Sequence, residues 1–431
     1  MQVPHRRHLL HDGVMSTLPD GYRLLQVPAQ RQDEFVAVDR LAFVVPADPA
    51  VDDVVPFAVP DDRMVAVEAP DGEFAAVHGS FPFRLPVPGG AVPCAGLTWV
   101  GVRPDHRRRG LLRAMVRAHL DRALERGEVV SALFASEPVI YGRFGYGCAA
   151  DNLRMTLPRG AALRAVPGSA DLVVRLEAAD ETRHGALVHD LHERVAAARP
   201  GWATRTTPAL RVRALADPPP WRDGAEPLLV ATVTDATGAV RGAATFARKA
   251  AWEPTGPAFV VRVRQLLALD AAATHRLWSF LLDLDLTATV ETPMLPVDDP
   301  LTHLLVDPRP ARTRLEDNVW VRVLDLPVAL AARRYAAPVD VVLDVRDALL
   351  PANAGRWRLV AGASGAAEVT RTGAEPDVTL DVRELGALYL GGRSLAAQAA
   401  AGLVQVRGGA DVAAVAAAFA WPVAPVCSWI F

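Results

Sequence analysis

A cluster of arginines lies between an apolar run and a helical pattern. The run Leu97–Val102 predicts a strand that stops at Pro104. Arg107, Arg108, Arg109 and Gly110 follow it. Apolar residues then recur at helical spacing: Leu112, Met115, Val116, His119, Leu120 and Ala123. Because free backbone N–H groups and the positive end of a helix converge where arginines gather, the loop predicts a phosphate or pyrophosphate site. The alternative is an ordinary basic turn.

A second stretch places a tyrosine after another strand. Val129–Ala135 is apolar and predicts a strand, and Ser136-Glu137-Pro138 then opens a short helix. The run Tyr141–Gly147 follows with alternating glycines and aromatic residues.

Neither Gly-x-x-x-x-Gly-Lys-[Ser/Thr] nor Gly-x-Gly-x-x-Gly is present near the arginines, so nucleotide hydrolysis and dinucleotide binding are not indicated.

The arginine loop resembles a known acyl-CoA-binding motif. Arg107–Leu112 is similar to the Arg-x-x-Gly-x-[Gly/Ala] loop of the GNAT N-acetyltransferases, with Leu112 in place of Gly or Ala. Together with Ser136–Gly147, Asp299–Leu305, Gly386–Gly391 and the terminal phenylalanine, it resembles the Eis (enhanced intracellular survival) acetyltransferases. This resemblance covers nearly the whole chain from about Leu18 and implies an N-acetyltransferase that uses acetyl-CoA.

The middle of the chain repeats the order of elements seen first. Phe259–Leu269 predicts a strand, Ala271–Asp283 an amphipathic helix and Thr287–Glu291 a strand. The turn Asp270–Ala273 has neither a glycine nor an arginine cluster, so a second GNAT copy here has lost the means to hold a pyrophosphate. A degenerate central GNAT domain is what the Eis resemblance implies.

The last part of the chain has strands before helices. Val339, Val341, Val342 and Val345 alternate, and strands are also predicted at Trp357–Val360 and Asp377–Val382. Helices are predicted at Arg383–Tyr389 and Val412–Ala420. The resemblance implies a sterol-carrier-protein-like domain, although lipid binding does not follow from such a fold.

We therefore expect an α/β (α+β) protein with two tandem GNAT-like domains, the second degenerate, and a C-terminal sterol-carrier-protein-like domain. The expected boundaries are a flexible leader at 1–15, the catalytic GNAT domain at 16–155, the degenerate domain at 156–310 and the last domain at 311–431. The stretch Pro208–Pro227, which contains Pro218-Pro219-Pro220, predicts a loop.

Two groups of histidines resemble metal motifs only superficially. His189-Asp190-Leu191-His192-Glu193 has no evident third ligand, so a solvated helix face is favoured over zinc binding. His5, His8 and His11 are favoured as part of a polar leader rather than a metal cluster. No metal is expected.

Composition excludes several classes of function. A chain of 431 residues is too long for one core. A formal net charge of −3 argues against a general nucleic-acid-binding protein, and no apolar run reaches the roughly eighteen residues of a membrane helix. Cys94, Cys148 and Cys427 are widely spaced in apolar sequence, which predicts free thiols in a reducing cytoplasm.

The C-terminal segment is unusually apolar. Val423–Phe431 is apolar except for Ser428, and no charged residue follows Asp411. If this tail is buried, the α-carboxylate of Phe431 is buried with it, which raises the carboxylate pKa and makes it a better base near neutral pH. Eis-like enzymes thread this carboxylate into the catalytic domain. The alternative is a tail packed in its own domain or an oligomer interface.

The resemblance assigns a role to each candidate site residue. Val100, Gly101 and Val102 would pair with the pantetheine amides, and Ser136 and Glu137 would line the cofactor channel. Tyr141 would donate a proton to the departing thiol, and the Phe431 carboxylate would take one from the amine. Direct transfer is favoured because no cysteine or serine has an evident base neighbour. Backbone and side chains of the loop would wrap the pyrophosphate: Arg107, Arg108, Arg109, Gly110, Leu111, Leu112 and Arg113.

The substrate is predicted only as a class. Eis proteins acetylate polycationic amines, including aminoglycosides. Here Ile430 replaces the acidic residue next to the terminal Phe, and Val44-Val45 stands where an acid is expected beside Phe43. Trp99 offers an aromatic wall. We expect a small polyamine or an aminoglycoside-like amine, with protein lysine or an arylalkylamine as alternatives. A non-catalytic CoA- or lipid-sensing protein is the alternative outside enzymes.

The resemblance also implies partners. It implies a homohexamer built from two trimers, to which apolar stretches in the second and third parts would contribute buried contacts. Nucleic-acid and membrane partners are not expected.

Overall fold

The computed structural model describes residues 18–363, 365–407 and 411–431. The chain divides into two compact units. Of the described residues, unit 1 contains 18–46, 60–79 and 99–122, and unit 2 contains those within 47–59, 80–98 and 123–431. The three histidines predicted to belong to a polar leader lie outside the described residues.

The first part of the chain alternates strands and helices. Its strands are β1 (Arg23–Gln26), β2 (Val65–Glu68), β3 (Phe74–Val87), β4 (Gly90–Val102), β5 (Val130–Phe134), β6 (Gly147–Cys148), β7 (Asp151–Arg154) and β8 (Thr156–Pro158). Its helices are α1 (Gln32–Phe43), α2 (Pro49–Asp52), α3 (Leu111–Glu125) and α4 (Pro138–Tyr141). The strands and helices predicted around the two motifs are therefore confirmed.

Within unit 1, a small antiparallel arrangement supports the start of α3. β1 pairs with β2, and β2 pairs with the first residues of β3, so that Val65 lies opposite His78. Leu111 and Met115 of α3 pack on Val67 and Ala76, all of them buried. Burying this apolar face fixes the first turns of α3, which follow directly after the arginine loop.

The second part forms a six-stranded sheet in unit 2. The strands in this part of the chain, not all of which belong to that sheet, are β9 (Val173–Ala178), β10 (Leu229–Thr234), β11 (Val240–Lys249), β12 (Trp252–Glu253), β13 (Gly256–Pro257), β14 (Phe259–Ala268), β15 (Thr287–Glu291), β16 (Leu295–Pro296), β17 (Arg314–Asp317) and β18 (Val319–Val323). Its helices are α5 (Glu181–Ala196), α6 (Pro208–Leu215), α7 (Ala271–Leu282) and α8 (Leu301–Leu304). The sheet order is β8-β15-β14-β11-β10-β9, with α7 packed on one face through Leu277, Trp278 and Leu281.

The third part adds a five-stranded sheet in the order β21-β20-β19-β22-β23. Its strands are β19 (Val339–Arg346), β20 (Gly355–Ala361), β21 (Ala367–Arg371), β22 (Val378–Asp381) and β23 (Gln405–Val406). Its helices are α9 (Leu326–Ala332), α10 (Val382–Leu388), α11 (Leu395–Ala400) and α12 (Val412–Phe419). The backbones of α10 and β18 lie close together at Gly386. A Cβ atom added to this residue would be only 2.2 Å from the carbonyl oxygen of Val321. None of the helices within the described residues is long and apolar enough to cross a membrane.

The predicted loop Pro208–Pro227 is wrong in its first half, because Pro208–Leu215 is helix α6. Thr207 precedes the helix and its side-chain oxygen accepts a hydrogen bond from the backbone N–H of Leu210 at 3.3 Å. Pro208 occupies the first helical position, where its missing N–H has no cost. The prolines that suggested a loop begin only after the helix has ended.

The predicted solvated helix face holds for Asp190, which is exposed, but is wrong for His192. His192 has no exposed surface, and its Nε2 accepts a hydrogen bond from the indole Nε1 of Trp202 at 3.0 Å. Burial lowers the pKa of His192 to about 4, so the ring stays neutral. The described residues contain no group of three His, Cys, Asp or Glu side chains arranged to hold a metal ion.

A buried ion pair links β18 to the loop after β19. Arg322 and Asp347 are almost fully buried, and Arg322 Nη2 donates to both carboxylate oxygens at 2.7 and 2.8 Å. Arg322 Nε also donates to the carbonyl oxygen of Phe144 at 2.9 Å. This pair therefore joins three segments that are distant in sequence.

We expect Asp347→Ala to lower the free energy of unfolding by about 3–5 kcal/mol, because it leaves the Arg322 charge buried and unpaired. Asp340→Ala is the matched control, since it breaks an exposed pair with Arg358 at 2.6 Å and should cost about 0–1 kcal/mol. Urea unfolding followed by circular dichroism measures both. Similar losses for the two variants would contradict a stabilising role for the buried pair.

Candidate functional site

The loop between β4 and α3 has an unusual backbone. Arg108 and Gly110 have φ values of 63° and 81°, both in the left-handed region. A Cβ at Gly110 would meet nothing within 4 Å, so it is the backbone conformation that favours glycine there. Left-handed residues in such a turn direct successive N–H groups to one side, which forms an anion-binding concavity. The loop also leads into a 15-residue helix whose first N–H groups have no partner within the helix.

Side chains hold this loop in place. Arg109 Nη1 donates to the hydroxyl of Tyr22 at 2.6 Å, and its Nη2 donates to the carbonyl oxygen of Asp105 at 3.2 Å. The Tyr22 hydroxyl lies 2.8 Å from His106 Nδ1. The side chains of Arg107, Arg108 and Arg113 are exposed. Exposed guanidinium groups beside a helix N-terminus are an arrangement that favours anionic ligands such as phosphates.

β4 is irregular where it approaches the loop. Trp99 has a φ of 54° inside the strand, and the recorded parallel pairing of β4 with β5 covers only Cys94–Gly96. An irregularity of this kind interrupts the regular strand pairing just before Val100, Gly101 and Val102. Gly101 is buried, and a Cβ there would lie 3.1 Å from the Cβ of Ala42.

An acidic residue that sequence reasoning missed lies beside this strand. Asp39 is on α1, and its Cα is 3.5 Å from the position of a Cβ at Gly101. Its Oδ1 is buried and accepts no hydrogen bond among the described residues. Burial raises the pKa of Asp39 to about 6. The sequence feature that could have identified Asp39 is its position one helical turn before Phe43, because the sequence pattern led us to expect an acid beside Phe43.

The aromatic candidates of unit 1 differ in exposure. Trp99 is half-buried and stacks on Phe35, with ring centroids 6.0 Å apart and planes inclined by 24°. Phe43 is 44% exposed at the end of α1. Trp99 therefore has a fixed orientation, whereas Phe43 faces solvent in this chain.

In unit 2, Tyr141 is a buried phenol at the end of α4. It is 9% exposed, and burial, reinforced by the charge of Glu137, raises its pKa to about 12. Its ring lies at 6.0 Å from that of Tyr146 in a T-shaped contact. Ser136 and Glu137 are exposed; Glu137 occupies the N-cap position of α4 without a side-chain capping bond, and Pro138 follows at the first position. A phenol with this pKa is protonated at neutral pH and can donate a proton.

The chain from Ala424 onward is anchored within unit 2. Arg199 Nη1 donates to the carbonyl oxygen of Ala424 at 2.6 Å, and the N–H of Ala424 donates to Asp298 at 2.9 Å. The N–H of Val426 donates to the carbonyl oxygen of Pro200 at 3.1 Å. These bonds fix the backbone direction before the last residues.

Asn318 binds both backbone groups of Cys427, the residue that follows Val426. Its Oδ1 accepts from the N–H of Cys427 at 2.7 Å, and its Nδ2 donates to the carbonyl oxygen of Cys427 at 3.1 Å. The same Nδ2 donates to Asn152 Oδ1 at 3.1 Å. Further along, the indole of Trp429 donates to the carbonyl oxygen of Ala203 at 2.8 Å.

These anchors place the Phe431 ring among aromatic side chains of the first GNAT-like part. Its centroid lies 4.7 Å from that of Phe83 and 5.3 Å from that of Phe134, both in T-shaped contacts. Phe134 ends β5, the strand that leads to Ser136, Glu137 and Tyr141. Ile430 is 66% exposed. The prediction that this apolar tail is buried therefore holds for Val426, Cys427 and Ser428 and in part for Phe431.

Comparisons with known proteins agree with this organisation. Residues 23–149 and 201–323 match models described as an acetyltransferase (GNAT) domain, and residues 326–428 match a sterol carrier protein domain. An uncharacterized N-acetyltransferase of Streptomyces coelicolor is 43% identical over 369 residues, 84% of this chain and 88% of the relative. The N-acetyltransferase Eis of Mycobacterium tuberculosis is 35% identical over 386 residues, again 84% and 88%.

A solved structure shows the same similarity. The crystal structure of Eis1 from Mycobacterium abscessus superposes with a TM-score of 0.79 at 30% identity and covers 95% of this chain and 100% of that chain. The predicted fold class, two GNAT-like domains and a sterol-carrier-protein-like domain, is thereby confirmed.

We expect Asn318→Ala to loosen the anchored tail, because it removes the bonds to both sides of Cys427. Hydrogen exchange at the Cys427 amide should accelerate by about tenfold to a hundredfold, as expected for one lost buried hydrogen bond. Asn353→Ala is the matched control: Asn353 is equally buried and accepts from the N–H of Leu326 at 3.0 Å, away from the tail. Equal acceleration of hydrogen exchange at the Cys427 amide in both variants would show that Asn318 has no specific role in holding the tail.

Proposed function

Because the chain belongs to the Eis family of GNAT N-acetyltransferases, we propose that it transfers acetyl directly from acetyl-CoA to a primary amine, with Tyr141 as general acid and the Phe431 carboxyl group as general base. The observation that carries the cofactor assignment is the loop Arg107–Gly110, whose left-handed residues and exposed guanidinium groups stand at the head of α3.

Three groups of residues would bind the cofactor. The backbone of Val100, Gly101 and Val102 would hydrogen-bond the pantetheine amides, as an unpaired strand edge does. The N–H groups of Arg108–Arg113, together with the side chains of Arg107 and Arg108, would hold the pyrophosphate. Ser136 and Glu137, exposed at the end of β5, would line the path toward the thioester.

Two proton transfers accompany the reaction. The neutral amine forms a bond to the acetyl carbonyl carbon as the carbon–sulfur bond breaks. Tyr141 donates its proton to the departing sulfur, and the Phe431 carboxylate accepts the proton that the amine nitrogen loses. Because burial holds the pKa of Tyr141 near 12, this acid should stay protonated up to about pH 11, and kcat should show no alkaline loss from it below that pH.

The acceptor we propose is a small polyamine or an aminoglycoside-like amine. Asp39 supports a cationic acceptor, since its backbone lies next to Gly101 and a buried oxygen of its carboxyl group has no hydrogen-bond partner among the described residues. The stacked pair Trp99–Phe35 favours a second candidate, an arylalkylamine. A homohexameric assembly stays a prediction, as does the lack of nucleic-acid or membrane partners.

Tyr141→Phe should lower kcat by roughly a hundredfold or more, because the leaving sulfur loses its proton donor. The acetyl-CoA dissociation constant should change little. Tyr146→Phe is the control, since Tyr146 is buried with its hydroxyl 2.8 Å from Ser131 Oγ and has no assigned proton transfer. Thiol release from acetyl-CoA across polyamines, aminoglycosides and arylalkylamines provides the measurement. A fully active Tyr141→Phe enzyme would exclude this acid.

The double variant Arg108→Glu, Arg109→Glu should raise the acetyl-CoA dissociation constant at least about tenfold, because it removes the proposed contact of Arg108 with phosphate and breaks the Arg109 bonds to Tyr22 and Asp105 that hold the loop. Arg309→Glu with Arg314→Glu changes the net charge equally at exposed positions elsewhere and should leave affinity unchanged. Calorimetry should find one site per chain. Two sites per chain, or unchanged affinity in the loop variant, would refute the assignment.

A further inference from the structure

Two parallel strands of the central sheet separate after a short pairing. β14 pairs with β15 from Phe259 opposite Thr287 to Arg262 opposite Glu291. Beyond that point the chain after β15 turns to another strand: the N–H of Thr292 donates to the carbonyl oxygen of Met155 at 3.0 Å, and Leu295 lies opposite Leu153. β14 continues beside β11 on its other edge. Within the described residues, no strand pairs with the free edge of β14 beyond Arg262.

A cavity of about 160 Å³, here called the central cavity, lies where the strands have separated. Gln265, Leu266 and Ala268 of β14 form one wall, and Pro293–Pro296 after β15 form another. Thr274 and Trp278 of α7 also line it, as does Ser428 of the C-terminal segment. The volume is close to that of a cavity of about 150 Å³ that admits benzene, so it suits roughly six to ten non-hydrogen atoms.

One polar side chain of the wall lacks a partner. Gln265 is 6% exposed, and its amide Nε2 is buried and donates no hydrogen bond among the described residues. Buried donors are almost always paired, with protein, with water or with a ligand. An acceptor oxygen, such as a carbonyl, would satisfy this one.

The charged side chains of the central cavity already have partners within the protein. Asp299 lines it, and Asp299 Oδ1 accepts from the N–H of Leu301 at 2.9 Å. Arg199 also lines it, but its Nη1 is bound to Asp298 at 2.7 Å and to the carbonyl oxygen of Ala424 at 2.6 Å. Arg199 is therefore already neutralised by Asp298, and burial, which raises the pKa of Asp299 to about 6, disfavours the charged form of that carboxyl group, so the cavity favours an uncharged ligand over an ion.

The neighbouring helix start does not offer a phosphate site. Asp270 precedes α7, and its carboxylate accepts from the N–H of Ala273 at 2.9 Å. The same carboxylate pairs with Arg241 at 2.6 Å. A carboxylate already occupies the position at which the loop before α3 offers N–H groups and arginines, so phosphorylated ligands are disfavoured here.

We propose that the central cavity binds a small uncharged amide, whose carbonyl accepts a hydrogen bond from Gln265 Nε2 and whose N–H pairs with the free edge of β14. The strand edge supplies backbone acceptors of the kind that pair with extended amide groups. Such a site is separate from acetyl transfer and does not depend on the proposed catalytic residues.

The test uses N-methylacetamide and N-acetylcysteamine as probes on the full chain. Their binding is followed through the indole N–H resonance of Trp278, assigned with Trp278→Phe, which reports on the central cavity rather than on the acetyl-CoA loop. We expect saturable shifts with both amides and none with butylammonium or acetate. Gln265→Leu should weaken binding at least about tenfold, because it removes the amide donor but keeps the volume.

Thr245→Val is the matched control. Thr245 lies opposite Gln265 on β11, and its hydroxyl is likewise buried without a partner among the described residues, but it does not line the central cavity. This variant should bind the amides as the parent does. Ala268→Leu, which fills the cavity, should abolish binding even if Gln265→Leu does not fold. Absence of a saturable Trp278 shift, equal affinity in Gln265→Leu, or preference for butylammonium would overturn the proposal.

Discussion

Asn318 holds the C-terminal segment in place by binding both backbone groups of Cys427, and the proposed chemistry depends on this interaction. Two hydrogen bonds at 2.7 and 3.1 Å from one buried amide fix the position and the direction of the chain four residues before Phe431. The Phe431 ring then lies between Phe83 and Phe134. Because Phe134 ends the strand that precedes Tyr141, both proposed proton-transfer groups are attached to the same unit.

The two GNAT-like parts show how one topology supports different chemistry. In the first, the turn before α3 carries three arginines and left-handed residues, which favour an anion. In the second, the turn before α7 carries Asp270, whose carboxylate caps the helix and pairs with Arg241. The parallel strands separate in both parts, since β4 and β14 each pair with the following strand over only a few residues. The proposed phosphate site depends on the sequence of the turn before the helix, whereas the separation of the two parallel strands depends on the sheet.

Local patterns predicted most elements because their causes are local. β15 was predicted exactly as observed, and the ends of β14 and α7 differ by one residue from the prediction, since apolar periodicity marks them directly. α6 was missed because three later prolines outweighed Thr207 and Pro208, which start a helix. The burial of His192 was missed because its partner Trp202 lies in another segment.

The site was less accessible to sequence reasoning than the fold. The arginine loop and Tyr141 are marked by motifs, but the left-handed φ of Trp99 has no sequence signal. Asn318 acts on a residue 109 positions away, and Asp39 matters only because α1 lies next to Gly101. Such contacts arise from tertiary packing, which a single sequence does not encode in any local pattern.

The account rests most on the proposal that the Phe431 carboxyl group accepts the amine proton. Adding two small residues after Phe431 replaces this carboxylate with a neutral amide and leaves the Phe431 ring in the chain. The decisive measurement is kcat for acetyl transfer by this variant, beside a variant extended equally at the N-terminus. The account predicts a loss of roughly a hundredfold or more in kcat, with acetyl-CoA affinity retained, for the C-terminal extension alone. Full activity of the C-terminally extended enzyme would contradict it.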